Sequence, residues 1–175
     1  GDVYKRQGIH VLPAGSAPVD EALRATLESV DAVLLGPGFD DPDATRAALH
    51  AIAEADIDRL VLDAFALGIL GSVDRGILPA ELLLNANEEE AALLLERDLG
   101  DDRAADILEI AERYEAVVHC FGTVAHPDGR TWQAQPGGSG LGTASSGDVL
   151  SGAIAGFAAL GMEPVSYTHL RAHET

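Results

Sequence analysis

The seven residues from 142 to 148, Gly-Thr-Ala-Ser-Ser-Gly-Asp, have the types and spacing that point most directly to chemistry. They precede an apolar run, Val149 to Leu160, whose spacing predicts a helix. The start of a helix presents unpaired N–H groups and the positive end of a dipole. The stretch is therefore a candidate anion site.

Asp148 distinguishes this candidate site from a phosphate-binding loop. Gly142 and Gly147 have the spacing of a phosphate-binding loop, but Asp148 stands where that loop carries Lys. A carboxylate repels bound phosphate, so we expect it to take a proton from a reacting group. The alternative is that Asp148 only caps the helix.

The elements that must position this stretch alternate between apolar strands and helices. Strands are predicted at 9–12, 32–35, 60–62, 82–84 and 116–121, and helices at 18–30, 42–55, 64–70, after Asn87, and from 101 or 102 to 113. Pro127-Asp128-Gly129 predicts a hairpin between 122–126 and 131–135. Uniformly apolar strands between helices indicate an α/β fold with parallel strands buried on both faces.

Polar motifs follow the carboxyl ends of four predicted strands. They are Gly36-Pro37-Gly38, Asp63, Asn85-Ala86-Asn87 and the segment His119 to Thr123. Each motif alone is typical of a turn, a helix cap or, for the Glu88 to Glu90 run, a solvated helix start. Ligands of open parallel sheets bind at the carboxyl edge, so the common placement favours one site there, with Asp148 as its reactive group.

Composition excludes several classes of partner. The net charge of -18 argues against nucleic acid and anionic membranes, because a phosphate surface would be repelled. Cys120 is the only cysteine, which excludes an internal disulfide and favours a reducing, cytoplasmic location. His119, Cys120 and His126 do not have the spacing of a metal site, so no protein metal site is predicted. No membrane-spanning run or signal peptide is recognised.

Both ends of the chain differ in composition from its body. Residues 1–7 and 165–175 hold the only Lys, all Tyr except Tyr114, and two of the six His. They resemble translated adapter tails, so we expect them to be non-native. The predicted domain is therefore 8–164.

Five motifs together resemble the ADP/ATP-dependent NAD(P)H-hydrate dehydratases, which are ribokinase-like proteins. The motifs are 31–38 (DAVLLGPG), 62–64 (LDA), 85–91 (NANEEEA), 127–129 (PDG) and 140–152 (GLGTASSGDVLSG). The resemblance implies a three-layer α/β/α fold with a mainly parallel sheet, truncated at both ends. It also implies that a nucleotide drives loss of water from hydrated NADH or NADPH.

The resemblance also implies roles for individual residues. Asp148 would be the catalytic base and would contact the substrate together with Gly38 and Asn87. The anion cradle would be formed by Ser145, Ser146 and Gly147. The adenine nucleotide would contact His119, Cys120, Phe121, Gly122, Thr123 and Gly147. ADP or ATP is the implied co-substrate, with Mg²⁺ expected beside it, and a homo-oligomer and a fused or separate epimerase domain remain open.

Two departures from the family pattern keep other functions open. His119-Cys120 replaces the usual Lys-Gly, and Asn85-Ala86 replaces the usual Thr-Pro. The first removes a positive group near the nucleotide. The alternatives are a small-molecule kinase of the same fold, acting on a sugar or vitamin precursor, and a non-catalytic nucleotide-binding relative.

Overall fold

A computed structural model describes residues 21–55, 57–133 and 146–165. The predicted strand at 9–12, the start of the first predicted helix and Ser145 lie outside these residues. In chain order the elements are α1 (Glu21–Leu27), β1 (Val33–Leu35), α2 (Pro42–Glu54), β2 (Arg59–Asp63), α3 (Phe65–Leu70), a short 3-10 helix (Arg75–Ile77), β3 (Glu81–Asn85), α4 (Glu88–Leu95), α5 (Arg103–Tyr114), β4 (Val117–Cys120), β5 (Thr123–Ala125), β6 (Thr131–Gln133) and α6 (Ser146–Ala159).

The described strands form one sheet in the order β1 to β6. Strands β1 to β4 are parallel, as the alternation of strands and helices predicts. Strands β5 and β6 extend the sheet in antiparallel fashion. The four parallel strands consequently end at the same edge of the sheet.

Alternate residues of the central strands face two different helical layers. Leu60 and Leu62 belong to the larger core, which includes buried residues of α2, α3, α4 and α5. Val61 belongs to a second core, together with Ile154 and Ala158 of α6. The helices α2 to α5 therefore cover one face and α6 covers the other, giving three layers.

Short polar side chains fix where the helices begin. The Asp41 carboxylate accepts a hydrogen bond from the Ala44 N–H at 2.7 Å, and Pro42 occupies the first helical position of α2. Asp102 caps α5 in the same way, through the Ala105 N–H at 3.1 Å. Both caps confirm the predicted starts of these helices.

The antiparallel part of the sheet contains two hairpins, of which the sequence predicted one. The predicted hairpin joins β5 and β6, and Gly129 adopts a φ of +96° in its turn. The second joins β4 and β5 through Phe121 and Gly122, which both have positive φ, as a two-residue turn of type I′ requires. Phe121 therefore lies in a turn, although it was predicted as the last residue of a strand.

Helix α6 begins three residues earlier than its apolar run. Ser146, Gly147 and Asp148 belong to its first turn. At the other end Gly161 adopts a φ of +67°, and the Met162 N–H donates to the Phe157 carbonyl at 3.0 Å. This pattern is a Schellman cap, which ends the helix after Ala159.

Candidate active site

Three polar residues end neighbouring parallel strands and meet at the carboxyl edge of the sheet. Asp63 of β2 is in register with Asn85 of β3, and Asn85 is in register with His119 of β4. All three are less than 10% exposed. Because Asp63 and Val61 are two residues apart on β2, they face the same layer, which contains α6. The motifs predicted to share an edge therefore do so.

Ser151 of α6 joins these residues into one chain of hydrogen bonds. The Asp63 carboxylate can only accept, so the Ser151 hydroxyl donates to its Oδ2. The Ser151 oxygen accepts from the Asn85 Nδ2 at 2.9 Å. Asn85 thus turns its Oδ1 towards His119, whose Nδ1 lies 2.8 Å away and must donate. The second Asp63 oxygen accepts from the Ala64 N–H at 2.8 Å.

Burial sets the charge of His119, and the direction of these bonds sets its tautomer. Burial lowers the pKa of His119 from 6.5 to about 4, so the imidazole is neutral near pH 7. Its proton is on Nδ1, where Asn85 accepts it. The Nε2 is buried and has no hydrogen-bond partner among the described residues. It is a buried acceptor, and such atoms are nearly always paired in folded proteins.

The turn after β1 places its backbone against Asp63, at one end of the hydrogen-bonded series of side chains. Gly36 has a φ of +133°, and a Cβ there would lie 1.7 Å from the Asp63 carbonyl oxygen. The Phe39 N–H donates to the Gly36 carbonyl at 3.1 Å, and Gly38 adopts a φ of +80°, as in a type II turn with Pro37 second. Gly38 is exposed, and no atom of the described residues lies within 4 Å of a Cβ placed on it.

Asn87 is half-buried and caps α4. Its Oδ1 accepts from the Glu90 N–H at 2.8 Å, while the Glu90 carboxylate accepts from the Asn87 N–H at 2.9 Å. This reciprocal pair is a capping box. The amide nitrogen of the Asn87 side chain has no partner among the described residues, so it is able to donate to a ligand.

The predicted nucleotide segment divides between the two sides of the sheet. His119 faces α6, whereas the Cys120 thiol is buried in the larger core on the opposite face. Any ligand contact from Cys120 would therefore use its backbone. Phe121 is 51% exposed at the tip of the turn, with a φ of +51°, and Thr123 is buried at the start of β5.

Helix α6 carries the remaining predicted site residues in its first turn. The first N–H groups of a helix have no intrahelical acceptor, and those of Ser146 and Gly147 are among them in α6. Asp148 lies three residues before Ser151, which is about one helical turn nearer the start of α6. Ser145 of the predicted cradle lies outside the described residues.

Sequence reasoning missed Ser151 and gave Asn85 no role of its own. The only signal for Ser151 is a hydroxyl within the apolar run 149–160, three residues after Asp148. Asn85 ends an apolar strand, and its replacement of the usual Thr was noted only as a departure. Their contact joins positions 66 residues apart in the chain.

The described ranges, 21–55, 57–133 and 146–165, also bear on metal binding and on membrane insertion. Those ranges contain no cluster of three or more His, Cys, Asp or Glu side chains suited to a metal ion, so we assign Mg²⁺ no step. No helix there has the length and apolarity needed to cross a membrane.

The sequence from residue 8 to residue 172 matches the family model of the NAD(P)H-hydrate dehydratases. The chain belongs to this family. The ADP-dependent (S)-NAD(P)H-hydrate dehydratase of Xanthomonas campestris is 36% identical over 155 residues, which are 83% of this chain and 51% of the relative. The bifunctional NAD(P)H-hydrate repair enzyme Nnr of Moorella thermoacetica is 32% identical over 163 residues, which are 87% and 31%, respectively. The dehydratase-family chain thus spans about half the length of the first relative and about a third of the second.

Solved structures agree with this assignment at the level of the fold. A ribokinase-like superfamily protein from Enterococcus faecalis superposes with a TM-score of 0.70 at 20% identity, over 85% of this chain and 55% of the other. Phosphofructokinase-2 of Escherichia coli superposes with a TM-score of 0.61 at 19% identity, over 84% and 51%. The family member therefore has the ribokinase-like α/β fold that the resemblance implied.

Proposed function

We propose that the protein carrying this chain removes water from hydrated NADH or NADPH in a reaction driven by ADP. The observation that carries the proposal is the convergence of Asp63, Asn85 and His119 with the start of α6, the segment that contains Asp148. Membership of the dehydratase family supports the reaction. The Xanthomonas relative, named as ADP-dependent, supports ADP as co-substrate.

Hydroxide is a poor leaving group, which explains why a nucleotide is needed. In the proposed reaction Asp148 takes the proton of the ring hydroxyl, and the hydroxyl oxygen attacks the terminal phosphorus of ADP, releasing AMP. The carbon–oxygen bond then breaks and phosphate leaves with that oxygen. Loss of a proton from the neighbouring carbon restores the ring double bond. The sum is hydrate plus ADP giving reduced cofactor, AMP and phosphate.

The residues around the edge divide into two proposed ligand sites. Gly38 and Asn87 would contact the hydrated nicotinamide. This is supported by the lack of any described atom within 4 Å of a Cβ placed on Gly38, and by the Asn87 side-chain amide nitrogen, which has no partner among the described residues. The turn from His119 to Thr123 would contact the nucleotide, supported by the His119 Nε2, which has no partner among the described residues, and by the exposed Phe121 ring. The N–H groups at the start of α6, including that of Gly147, would bind phosphate oxygens.

The setting of this reaction is also proposed from the sequence. A single cysteine suits a reducing, cytoplasmic compartment, where reduced nicotinamide cofactors are used. The Moorella relative is named bifunctional, which supports an accompanying epimerase activity, fused or separate.

Incubation of the complete protein with hydrated NADH, with and without ADP, tests the proposal. We expect recovery of the absorbance of NADH and equimolar release of free phosphate, both only when ADP is present. A stable phosphorylated product without free phosphate would replace the dehydratase with a kinase. Binding of ADP without any turnover would favour the non-catalytic relative.

A further inference from the structure

The contact between α6 and the sheet is mainly apolar. Ile154 and Ala158 are buried against Val61, while Gly152 and Gly156 lie on the exposed side of the helix. Apolar contact is non-directional, so it holds the helix onto the sheet without fixing its position along its own axis. A hydrogen bond depends steeply on distance and angle, and is able to fix that position.

Ser151 supplies directional contacts at two points. Its hydroxyl donates to Asp63 of β2 and accepts from Asn85 of β3, so it is attached to two neighbouring strands. Both partners are themselves held, Asp63 by the Ala64 N–H and Asn85 by His119 of β4. Ser151 has no measurable exposure, so water does not compete for these bonds. These hydrogen bonds link α6 to β2, β3 and β4, and we call this set of contacts the brace.

Asp148 lies on the same helix as this brace, about one turn closer to the sheet edge where ligands bind. A helix is stiff over one turn, so a shift of α6 at Ser151 moves the backbone of Asp148 by a similar amount. A misplacement of about 1 Å costs a reaction on the order of a hundredfold in rate. Loss of the brace would therefore lower the rate of a reaction whose base lies on α6.

We infer that Ser151 is a positioning residue. Its hydroxyl fixes the position of α6 along the helix axis, and this position allows Asp148 to reach the reacting hydroxyl of the substrate. Asn85 and Asp63 are the two anchors of this hydroxyl, and His119 orients Asn85. The inference rests on the proposed function only for the role of Asp148. The bracing of α6 stands on the described contacts alone.

Ser151→Ala in the complete protein tests the inference. We expect the kcat for NADH recovery to fall about 10- to 100-fold, with the dissociation constant for ADP changed less than about threefold. Thr45→Val is the matched control, because Thr45 is equally buried and its hydroxyl donates to the Asp41 carbonyl at 2.7 Å, on α2 in the opposite helical layer. Thr45→Val should lower the thermal midpoint comparably and leave kcat within twofold of wild type.

A double-mutant cycle separates positioning from loss of stability. Asn85→Ala removes the second anchor, so the double variant Ser151→Ala, Asn85→Ala should have a kcat close to that of the worse single variant. Additive losses would overturn the inference, as would a Ser151→Ala kcat within twofold of wild type or an equal fall in Thr45→Val. If Ser151→Ala does not fold, Asp63→Asn replaces it, and a kcat within twofold of wild type overturns the inference.

Hydrogen exchange keeps this inference distinct from the proposed function. Amides of 146–155 should exchange at least about tenfold faster in Ser151→Ala than in wild type, and at the wild-type rate in Thr45→Val. Absence of turnover in the wild type would refute the proposed function while leaving this measurement valid. Unchanged exchange in Ser151→Ala would refute the brace.

Discussion

Replacing His119 with Gln should flatten the dependence of folding stability on pH between pH 7 and pH 5. Burial lowers the pKa of the native imidazole to about 4, whereas the ordinary pKa of an exposed imidazole is 6.5. Between these two pKa values the imidazole of the unfolded chain is protonated, whereas that of the native protein is neutral. The stability that the neutral imidazole contributes is complete above the unfolded pKa and is lost as pH falls from 6.5 towards 4.

The size of the effect follows from the gap between the two pKa values. A gap from 6.5 to about 4 corresponds to roughly 3 kcal/mol in total, at 1.36 kcal/mol per unit. About 2 kcal/mol of this is lost between pH 7 and pH 5, where the unfolded imidazole becomes charged and the native one stays neutral. Gln does not titrate and keeps an amide donor for the Asn85 oxygen.

Urea unfolding at pH 7, 6 and 5, followed by circular dichroism, measures the difference. The free energy of unfolding of the wild type should fall by about 2 kcal/mol more than that of His119→Gln over this range. Other titrating groups are common to both proteins and cancel. The exposed His50→Gln is the control for loss of an imidazole and should follow the wild type. Parallel curves for wild type and His119→Gln would refute the buried, neutral assignment.

Two further substitutions test the backbone around the site. Gly36→Ala should lower the free energy of unfolding by more than about 3 kcal/mol, because the new Cβ would overlap the Asp63 carbonyl. Gly38→Ala should cost only about 1 kcal/mol, since its positive φ is strained but no described atom lies within 4 Å of the new Cβ; equal losses at both positions would contradict the close approach. Asn87→Ala should cost about 1 kcal/mol through loss of the capping box with Glu90, and Asn87→Asp should restore most of it in thermal melts. No difference between the two Asn87 variants would contradict the cap.

The helix starts and the central strands of this fold are predicted by local sequence patterns. Asp41, Asn87 and Asp102 begin helices because a short polar side chain before an apolar stretch pairs with the first N–H groups. The runs at 60–62 and 82–84 form adjacent parallel strands because they are apolar on both faces and separated by helices. These signals depend only on residues close together in the chain.

The organisation of the site depends on contacts that local patterns do not encode. The resemblance implies that His119 contacts the nucleotide, yet its Nδ1 donates to Asn85, which leaves the Nε2, without a partner in the part of the chain that the structure describes, for a ligand. The contact of Ser151 with Asp63 spans 88 positions. The turn at Phe121 carries no typical signal, because Phe seldom adopts a positive φ. The contacts of Ser151 depend on the packing of α6 on the sheet, and the contact of His119 with Asn85 depends on the pairing of β3 with β4.

Asp148→Asn, assayed in the complete protein, tests the central claim most directly. Asn has nearly the same shape as Asp but does not act as a general base near pH 7. Recovery of NADH from its hydrate should fall about 10²- to 10⁴-fold, while ADP binds with a dissociation constant within about threefold of wild type. Recovery within tenfold of wild type would show that Asp148 is not the base and that the start of α6 is not where the reaction occurs.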